Sequence, residues 1–390
     1  MNKQLTSILL ISGTCIGAGM IALPISLAKI GIIPSIILMF LIWLYSYYTS
    51  LVFVELNLNS ENKNLHLELL CKKYSGKYAQ IIGNISVKLL SYSLISAYIY
   101  GGSSILQNLL NLNVNTVYIQ TILTLITIFI IQMNRNLVSK TNGYLFIGFL
   151  IFIIFLIFLL FFKVNYNNIP WNNKIDFNNI SNSIVILFTS FGYQICSNAL
   201  MKYCDNDIKI IKNALFYGSI IPLILYICWT FVILSVIYNN DINFYNLIIN
   251  ENVNVGNLID KLSNIISLNN LNFIVWIISI LAIFTSLIGV SLSLKESYNN
   301  IFKEKNIKNY DLLSTLITIL PSYIITVLIP NAFMKVLGYA GIMSIIMAIL
   351  LPIYLYLKTN LKQKYIKILN KKLLFFCFII GVILIFLNFI

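Results

Sequence analysis

The chain has 390 residues, of which 59% are hydrophobic and only 10% charged, with a formal net charge of +14. A soluble globular domain carries about 25% charged residues, and this much apolar surface cannot be hidden in a water-soluble core of this size. These figures exclude a cytosolic enzyme, a disordered chain and a secreted disulfide scaffold, and leave an all-α polytopic membrane protein.

A helix that crosses the hydrocarbon slab needs about 20 mostly apolar residues. Eleven stretches qualify: roughly 7–27, 32–56, 82–109, 116–133, 143–162, 181–200, 214–238, 271–294, 312–329, 336–357 and 373–390. Their apolar runs are continuous rather than alternating, which predicts helices and not barrel strands. The first is not a cleaved leader, because no small-residue cleavage site ends it and another span follows Pro24 at once. Between the second and third spans, residues 57–81 set Leu65, Leu67, Leu69 and Leu70 beside Lys72 and Lys73, the pattern of a short interfacial helix. Residues 239–270 carry Leu258, Ile259, Leu262, Ile265 and Ile266 at amphipathic spacing and predict part of a lid on the outer side.

Two spans are expected to break. The first reads Gly13-Thr-Cys-Ile-Gly17-Ala-Gly19-Met20, and each glycine costs about 1 kcal/mol of helix propensity. The sixth contains Phe188-Thr-Ser-Phe191-Gly192-Tyr193-Gln194. Non-helical backbone at membrane depth survives only where it is buried in protein or lines a cavity. The two interruptions fall five helices apart, and such matched breaks are the sequence pointer to a transporter's binding site. The chain then reads as one transmembrane domain: repeat one about 7–162, repeat two about 181–357 in inverted orientation, and an extra helix about 373–390. Taken alone, Gly13-x-x-x-Gly17 would read as a helix-packing face; the partner break favours the site. A dinucleotide fingerprint fails, since no strand precedes these glycines.

Lys and Arg orient the chain. With the N-terminus inside, 20 of the 26 basic residues fall in inner segments, five in outer ones, and Lys88 within a span. The N-terminus is therefore expected in the cytoplasm and the C-terminus outside. Spread over every inner loop, the charge is no nucleic-acid footprint. His66 is the only histidine and the six cysteines are scattered, so no metal site, cofactor or catalytic set is expected. A channel would show a repeated filter sequence, and none is present.

Gly13-Thr-Cys-Ile-Gly-Ala-Gly-Met-Ile-Ala-Leu-Pro24 resembles the opening helix of the bacterial tyrosine/tryptophan permeases, in the hydroxy/aromatic amino acid permease family of the amino acid/polyamine/organocation superfamily. Leu187-Phe-Thr-Ser-Phe-Gly-Tyr193, Ala97-Tyr-Ile-Tyr-Gly101, Ser286-Leu-Ile-Gly-Val-Ser-Leu-Ser293 and Pro330-Asn-Ala-Phe-Met-Lys-Val-Leu-Gly-Tyr-Ala-Gly341 are similar to its sixth, third, eighth and tenth helices. The resemblance implies an eleven-helix inner-membrane permease of the five-plus-five, leucine-transporter-like fold that imports tyrosine or tryptophan with protons. One departure stands out: Gln194 occupies the place where the family commonly has histidine.

An amino acid needs its two charged ends met separately. The N–H groups of Ala18, Gly19 and Met20, at a half-helix N-terminus, are expected to hold the carboxylate. Carbonyls near Gly13, Cys15 and Phe188 would take the ammonium, while Gly17 and Gly192 allow close approach. Tyr98, Phe191, Tyr193 and Gln194 would line the side-chain pocket, Gln194 meeting a buried hydroxyl or indole N–H. Thr285 and Ser286, facing helix 1 near the Gly13 and Ile16 carbonyls, are the alternative sodium cage. Glu55 and Lys88 are the intramembrane ionisable residues; both lie near the inner interface, where a purely structural role or mutual neutralisation is the simpler reading. A non-aromatic amino acid substrate is the other alternative.

Overall fold

The computed structural model describes residues 3–60, 65–173, 176–250, 253–266, 272–329, 332–359 and 364–388, and every regular element among them is helical. The first span is two helices, α1 (Lys3–Cys15) and α2 (Ala18–Leu27), bent by 48° about Ile16 and Gly17. Gly31, at φ +87° and pressed against the Asn172–Asn173 backbone, turns the chain into α3 (Ile32–Leu58). A short helix, α4 (Leu67–Ser75), lies where the interfacial helix was expected, and Gly76, again at φ +87°, separates it from α5 (Lys77–Leu109). Then come α6 (Thr116–Gln132), α7 (Arg135–Phe161), α8 (Phe177–Ser190), a 3-10 turn (Tyr193–Cys196) and α9 (Ser197–Tyr203). The long α10 (Ile208–Asn240) leads to two short helices, α11 (Ile242–Ile249) and α12 (Val255–Ile266). The chain closes with α13 (Asn272–Glu304), α14 (Tyr310–Leu328), α15 (Ala332–Ile345), a π segment (Ile346–Leu350), α16 (Leu351–Lys358) and α17 (Lys371–Leu387).

Seven helices are long and apolar enough to cross a membrane, eight with the bent α1–α2 pair, among the described residues. The other expected spans are helical but fall short: α6 and α17 have 17 residues each, and the sixth is interrupted between α8 and α9. Several helices outrun their apolar cores. α5 starts at Lys77, α7 at Arg135, and α13 continues to Glu304. Hydropathy marks the hydrocarbon slab, whereas a helix continues until a cap or a glycine stops it. The caps are Asn115, Asp207, Asp241 and Asn370, whose side chains accept the orphan N–H groups at the starts of α6, α10, α11 and α17. Residues 330 and 331, part of the stretch that resembles the tenth helix, lie outside the described residues.

Three prolines inside helices explain much of the cross-helix bonding. Proline lacks an N–H and so leaves the carbonyl four residues earlier unpaired; in an apolar surround such a carbonyl must find another donor. Pro24 frees the Met20 carbonyl, which accepts from Trp229 Nε1 at 2.9 Å. Pro222 frees that of Gly218, which accepts from Ser12 Oγ at 2.9 Å. Pro321 frees that of Ile317, which accepts from Tyr92 Oη at 3.0 Å. Pro352 lies just past the π segment in the tenth span, where the widened turn relieves its clash with the preceding carbonyls.

Candidate functional site

The break in the first span is lined by three helices. Ile16 N–H makes the last α1 bond, to Ser12 O at 3.0 Å, and Met20 N–H turns back to Gly17 O at 3.1 Å. The N–H groups of Ala18 and Gly19 therefore open α2 with no intrahelical acceptor, whereas Met20 N–H, expected at the carboxylate site, already has one. A methyl group on Gly17 would lie 2.6 Å from Ser286 Oγ and 3.1 Å from Tyr98 Oη. Only glycine allows α5 and α13 to approach the backbone this closely. Gly13 instead faces α7, against the Phe146 ring.

The expected sixth span is interrupted at Phe191 and Gly192. Phe188 O accepts from Ser344 Oγ at 3.3 Å, and Ser190 O and Cys15 O both face one hydroxyl, that of Tyr226, at 3.4 and 2.6 Å. Tyr226, fully buried on α10, thus bridges the two breaks, and its ring meets Phe191 edge-on at 5.6 Å. The carbonyls expected to receive an ammonium at Cys15 and Phe188 each carry a protein hydroxyl, and each keeps a second lone pair. Phe188 packs edge-on against Tyr45. Tyr193 and Gln194 turn toward α3: the Tyr193 hydroxyl lies 3.5 Å from Ser50 Oγ, and Gln194 Nε2 donates to Ser46 O at 3.3 Å. Gln194 Oε1 is buried with no hydrogen-bond partner. The expected pocket residues are all buried, but the structure divides them. Tyr98 sits at Gly17, Phe191 at Tyr226, and Tyr193 and Gln194 lie against α3.

Helices α2 and α8 run past each other in a register of small residues. Gly19 lies against Ser190, and seven residues along each helix Ser26 Oγ donates to Ser183 Oγ at 3.2 Å. Two turns span about 10 Å. At that distance from the breaks a cavity of about 690 Å³ opens, bordered by Ser26, Tyr100, Ser183, Phe333, Lys335 and Ile342. Its volume falls within the usual range for small-molecule pockets. None of the residues expected at the site borders it. Tyr100 and Phe333 were missed because their role depends on which face of α5 and α15 meets the cavity. Gly101 was the available signal: it admits the Phe333 ring to within 2.9 Å of where a Cβ would stand.

The sequence model of the tryptophan/tyrosine permease family matches residues 1–388 of this chain. The chain belongs to that family. The tyrosine-specific transport system 1 of Haemophilus influenzae is 30% identical over 361 residues, covering 92% of this permease and 89% of the relative. Tyrosine-specific transport system 2 of the same organism is 28% identical, covering 93% and 89%. Glutamine transporter 2 of Aliivibrio fischeri is 26% identical, covering 93% and 90%. The permease is thus a transporter rather than an enzyme, and a multi-pass membrane protein.

The ion-coupling candidates are also divided. Thr285 spends its hydroxyl on its own helix, donating to Leu281 O at 2.7 Å, while Thr285 O accepts from Asn142 Nδ2 at 3.0 Å. Ser286 faces Gly17 rather than Gly13, and the Ile16 side chain is buried. Glu55 and Lys88 do not neutralise each other. The Lys88 ammonium lies 4.6 Å from the centre of the Tyr298 ring. Glu55 is fully buried, and its carboxylate accepts from the backbone N–H groups of Lys364, Tyr365 and Ile366 at 2.8–3.2 Å and from Asn59 Nδ2 at 2.9 Å. Glu55 is thus engaged by backbone and Asn59, and the half-buried Lys88 by the Tyr298 ring.

Proposed function

We propose that the permease imports tyrosine or tryptophan across the bacterial inner membrane by proton symport, with the substrate held where the first and sixth spans break. The reading takes eleven spans, N-terminus in the cytoplasm and C-terminus outside. Two inverted five-helix repeats, about 7–162 and 181–357, are followed by an extra helix. The family, and relatives named for tyrosine transport, support the aromatic substrate.

The observation that carries the site is the meeting of two interrupted helices on one buried hydroxyl, Tyr226 Oη. The substrate carboxylate sits on the N–H groups of Ala18 and Gly19, where the α2 dipole favours an anion. The ammonium shares the carbonyls of Cys15, Phe188 and Ser190 with their hydroxyl donors. Tyr98, Phe191 and Tyr226 present aromatic faces and hydroxyls to the ring of the substrate, and the 690 Å³ cavity is its antechamber on the outer side. Proton coupling is favoured over sodium because the two hydroxyls of the alternative cage part: that of Thr285 donates within its own helix, to Leu281 O, and that of Ser286 lies at Gly17 rather than Gly13.

The test is uptake into proteoliposomes of labelled tyrosine, tryptophan, phenylalanine, leucine and glutamine, driven by a pH gradient or by a sodium gradient. Tyrosine or tryptophan accumulation driven by the pH gradient is expected. Leucine or glutamine uptake without aromatic uptake would overturn the substrate assignment, and accumulation driven by sodium at zero pH gradient would overturn proton coupling.

A further inference from the structure

Buried polar side chains in folded proteins are nearly always paired, so each one that is not calls for an explanation. Four such atoms lie where the 3-10 turn and α9 pack against α3. They are Ser46 Oγ, Gln194 Oε1, Ser197 Oγ and Asn198 Oδ1, none with a hydrogen-bond partner among the described residues. All four residues are at most 6% exposed. Gln194 fixes the register, because its Nε2 donates to Ser46 O at 3.3 Å. Ser197 and Asn198 follow Gln194 by three and four residues and so share its face.

Other hydroxyls of α3 are spent on their own helix. Ser50 donates to Tyr47 O at 2.7 Å and Thr49 to Tyr45 O at 3.1 Å. Ser46 makes no such bond. The carbonyl that Ser197 would ordinarily use, that of Tyr193, accepts from Cys196 Sγ at 3.0 Å instead.

The unspent groups are of two kinds. The amide oxygens of Gln194 and Asn198 can only accept, whereas each serine hydroxyl can both donate and accept. A phenol hydroxyl complements both kinds, giving its proton to an amide oxygen and taking one from a serine. An indole N–H can only donate and leaves the serine protons unmet; a plain phenyl ring leaves all four groups unmet. The place is also right. Gln194 lies three residues beyond Phe191, about 6 Å along a 3-10 turn. A substrate held by its charged ends at the two breaks would bring the far end of its ring to that depth.

Resting on the transport reading above, we propose that Ser46, Gln194, Ser197 and Asn198 form a subsite for the para-hydroxyl of tyrosine. The permease then takes tyrosine in preference to both tryptophan and phenylalanine. A site built to bond a hydroxyl rejects the analogue that lacks it, because its own buried groups are left unpaired.

The experiment measures KM for tyrosine, tryptophan and phenylalanine with the full chain in proteoliposomes. Ratios taken within each variant cancel any general loss of activity or stability. In the native protein the KM for tyrosine should be about tenfold or more below that for phenylalanine, and below that for tryptophan. Ser46→Ala, which removes a hydroxyl that bonds nothing in the fold, and Gln194→Met should each raise the KM for tyrosine severalfold without raising that for phenylalanine. Ser314→Ala removes another fully buried, unpartnered hydroxyl, on α14, and should leave the ratios unchanged. Equal KM values for tyrosine and phenylalanine in the native protein would overturn the subsite alone. So would parallel changes for all three substrates in Ser46→Ala and Gln194→Met, the result expected if the four groups hold only ordered water. Uptake of no aromatic amino acid at all would overturn the transport reading and the subsite with it.

Discussion

Replacing Gly19 by alanine tests the packing between the two broken spans. An added Cβ would stand 2.7 Å from Ser190 Cβ and 3.1 Å from Ser190 Cα, and closer still to Ser190 Oγ. Carbon atoms rest at about 3.5–4.0 Å, so α2 and α8 would have to part by close to 1 Å. Forcing one methyl group into a packed interior costs about 1–3 kcal/mol. Ser190→Gly removes both of the nearer atoms. Only the backbone carbon of residue 190 then remains too near, by a few tenths of an ångström. The double variant Gly19→Ala/Ser190→Gly should therefore recover most of the loss, less about 1 kcal/mol for glycine near a helix end. Unfolding of the detergent-solubilised protein can be followed by the reactivity of its buried thiols, Cys15, Cys71, Cys204 and Cys377, alongside the initial rate of tyrosine uptake. Gly19→Ala should lower the midpoint by several degrees and cut the uptake rate, and the cycle should show a coupling of about 1–3 kcal/mol. A Gly19→Ala protein that melts and transports like the native one would refute this close approach, as would a Ser190→Gly background that gives no relief.

Trp229→Phe leaves the Met20 carbonyl without its indole donor and should cost about 1–3 kcal/mol. Adding Pro24→Ala restores an N–H four residues on and should recover the midpoint; no recovery would mean that the indole acts through packing instead. Glu55→Gln trades a charged acceptor for an amide that presents N–H to N–H. It should cost about 1.5–3 kcal/mol and expose 364–370 to protease, so an unchanged cleavage pattern would argue against the clamp. Asp241 is held below its ordinary value of 3.8 by its hydrogen bond from the Lys261 ammonium, with help from Phe244 N–H. A carboxyl depressed in the folded state stabilises above its unfolded pKa and loses that contribution as pH falls through the folded one. The midpoint difference between native protein and Asp241→Asn should be present at pH 6 and shrink as pH drops below 3.8 toward the depressed folded value; no difference at pH 6, or one that does not shrink on acidification, would contradict the ion pair.

The helical fold was legible because each hydrocarbon crossing leaves an apolar run, and glycine with small polar residues marked where two of those runs give way. Gly17 and Gly192 could be picked out because a break needs residues that lose little by leaving the helix. The direction of the chain after a break could not. Helical periodicity is lost at Phe191 and Gly192, so no counting of residues shows that Tyr193 and Gln194 turn to Ser50 and Ser46 rather than to Tyr98. Tyr226 and Trp229 look like ordinary aromatic residues of an apolar helix; their roles come from carbonyls about 210 residues away. Glu55 is similar. A lone carboxylate in a span suggests ion chemistry, and only the fold reveals the three backbone N–H groups that occupy it.

The three donors that α10 shares with the first span constrain how these helices can shift. Ser12 meets Gly218 O, Tyr226 meets Cys15 O, and Trp229 meets Met20 O. Each acceptor exists because a proline or a break vacated it. A slide of one or two ångströms would break all three bonds at once, leaving Tyr226 with its second carbonyl, Ser190 O at 3.4 Å. Rearrangement between these helices is therefore quantised: the pair travels as one piece, or it lets go along its whole length.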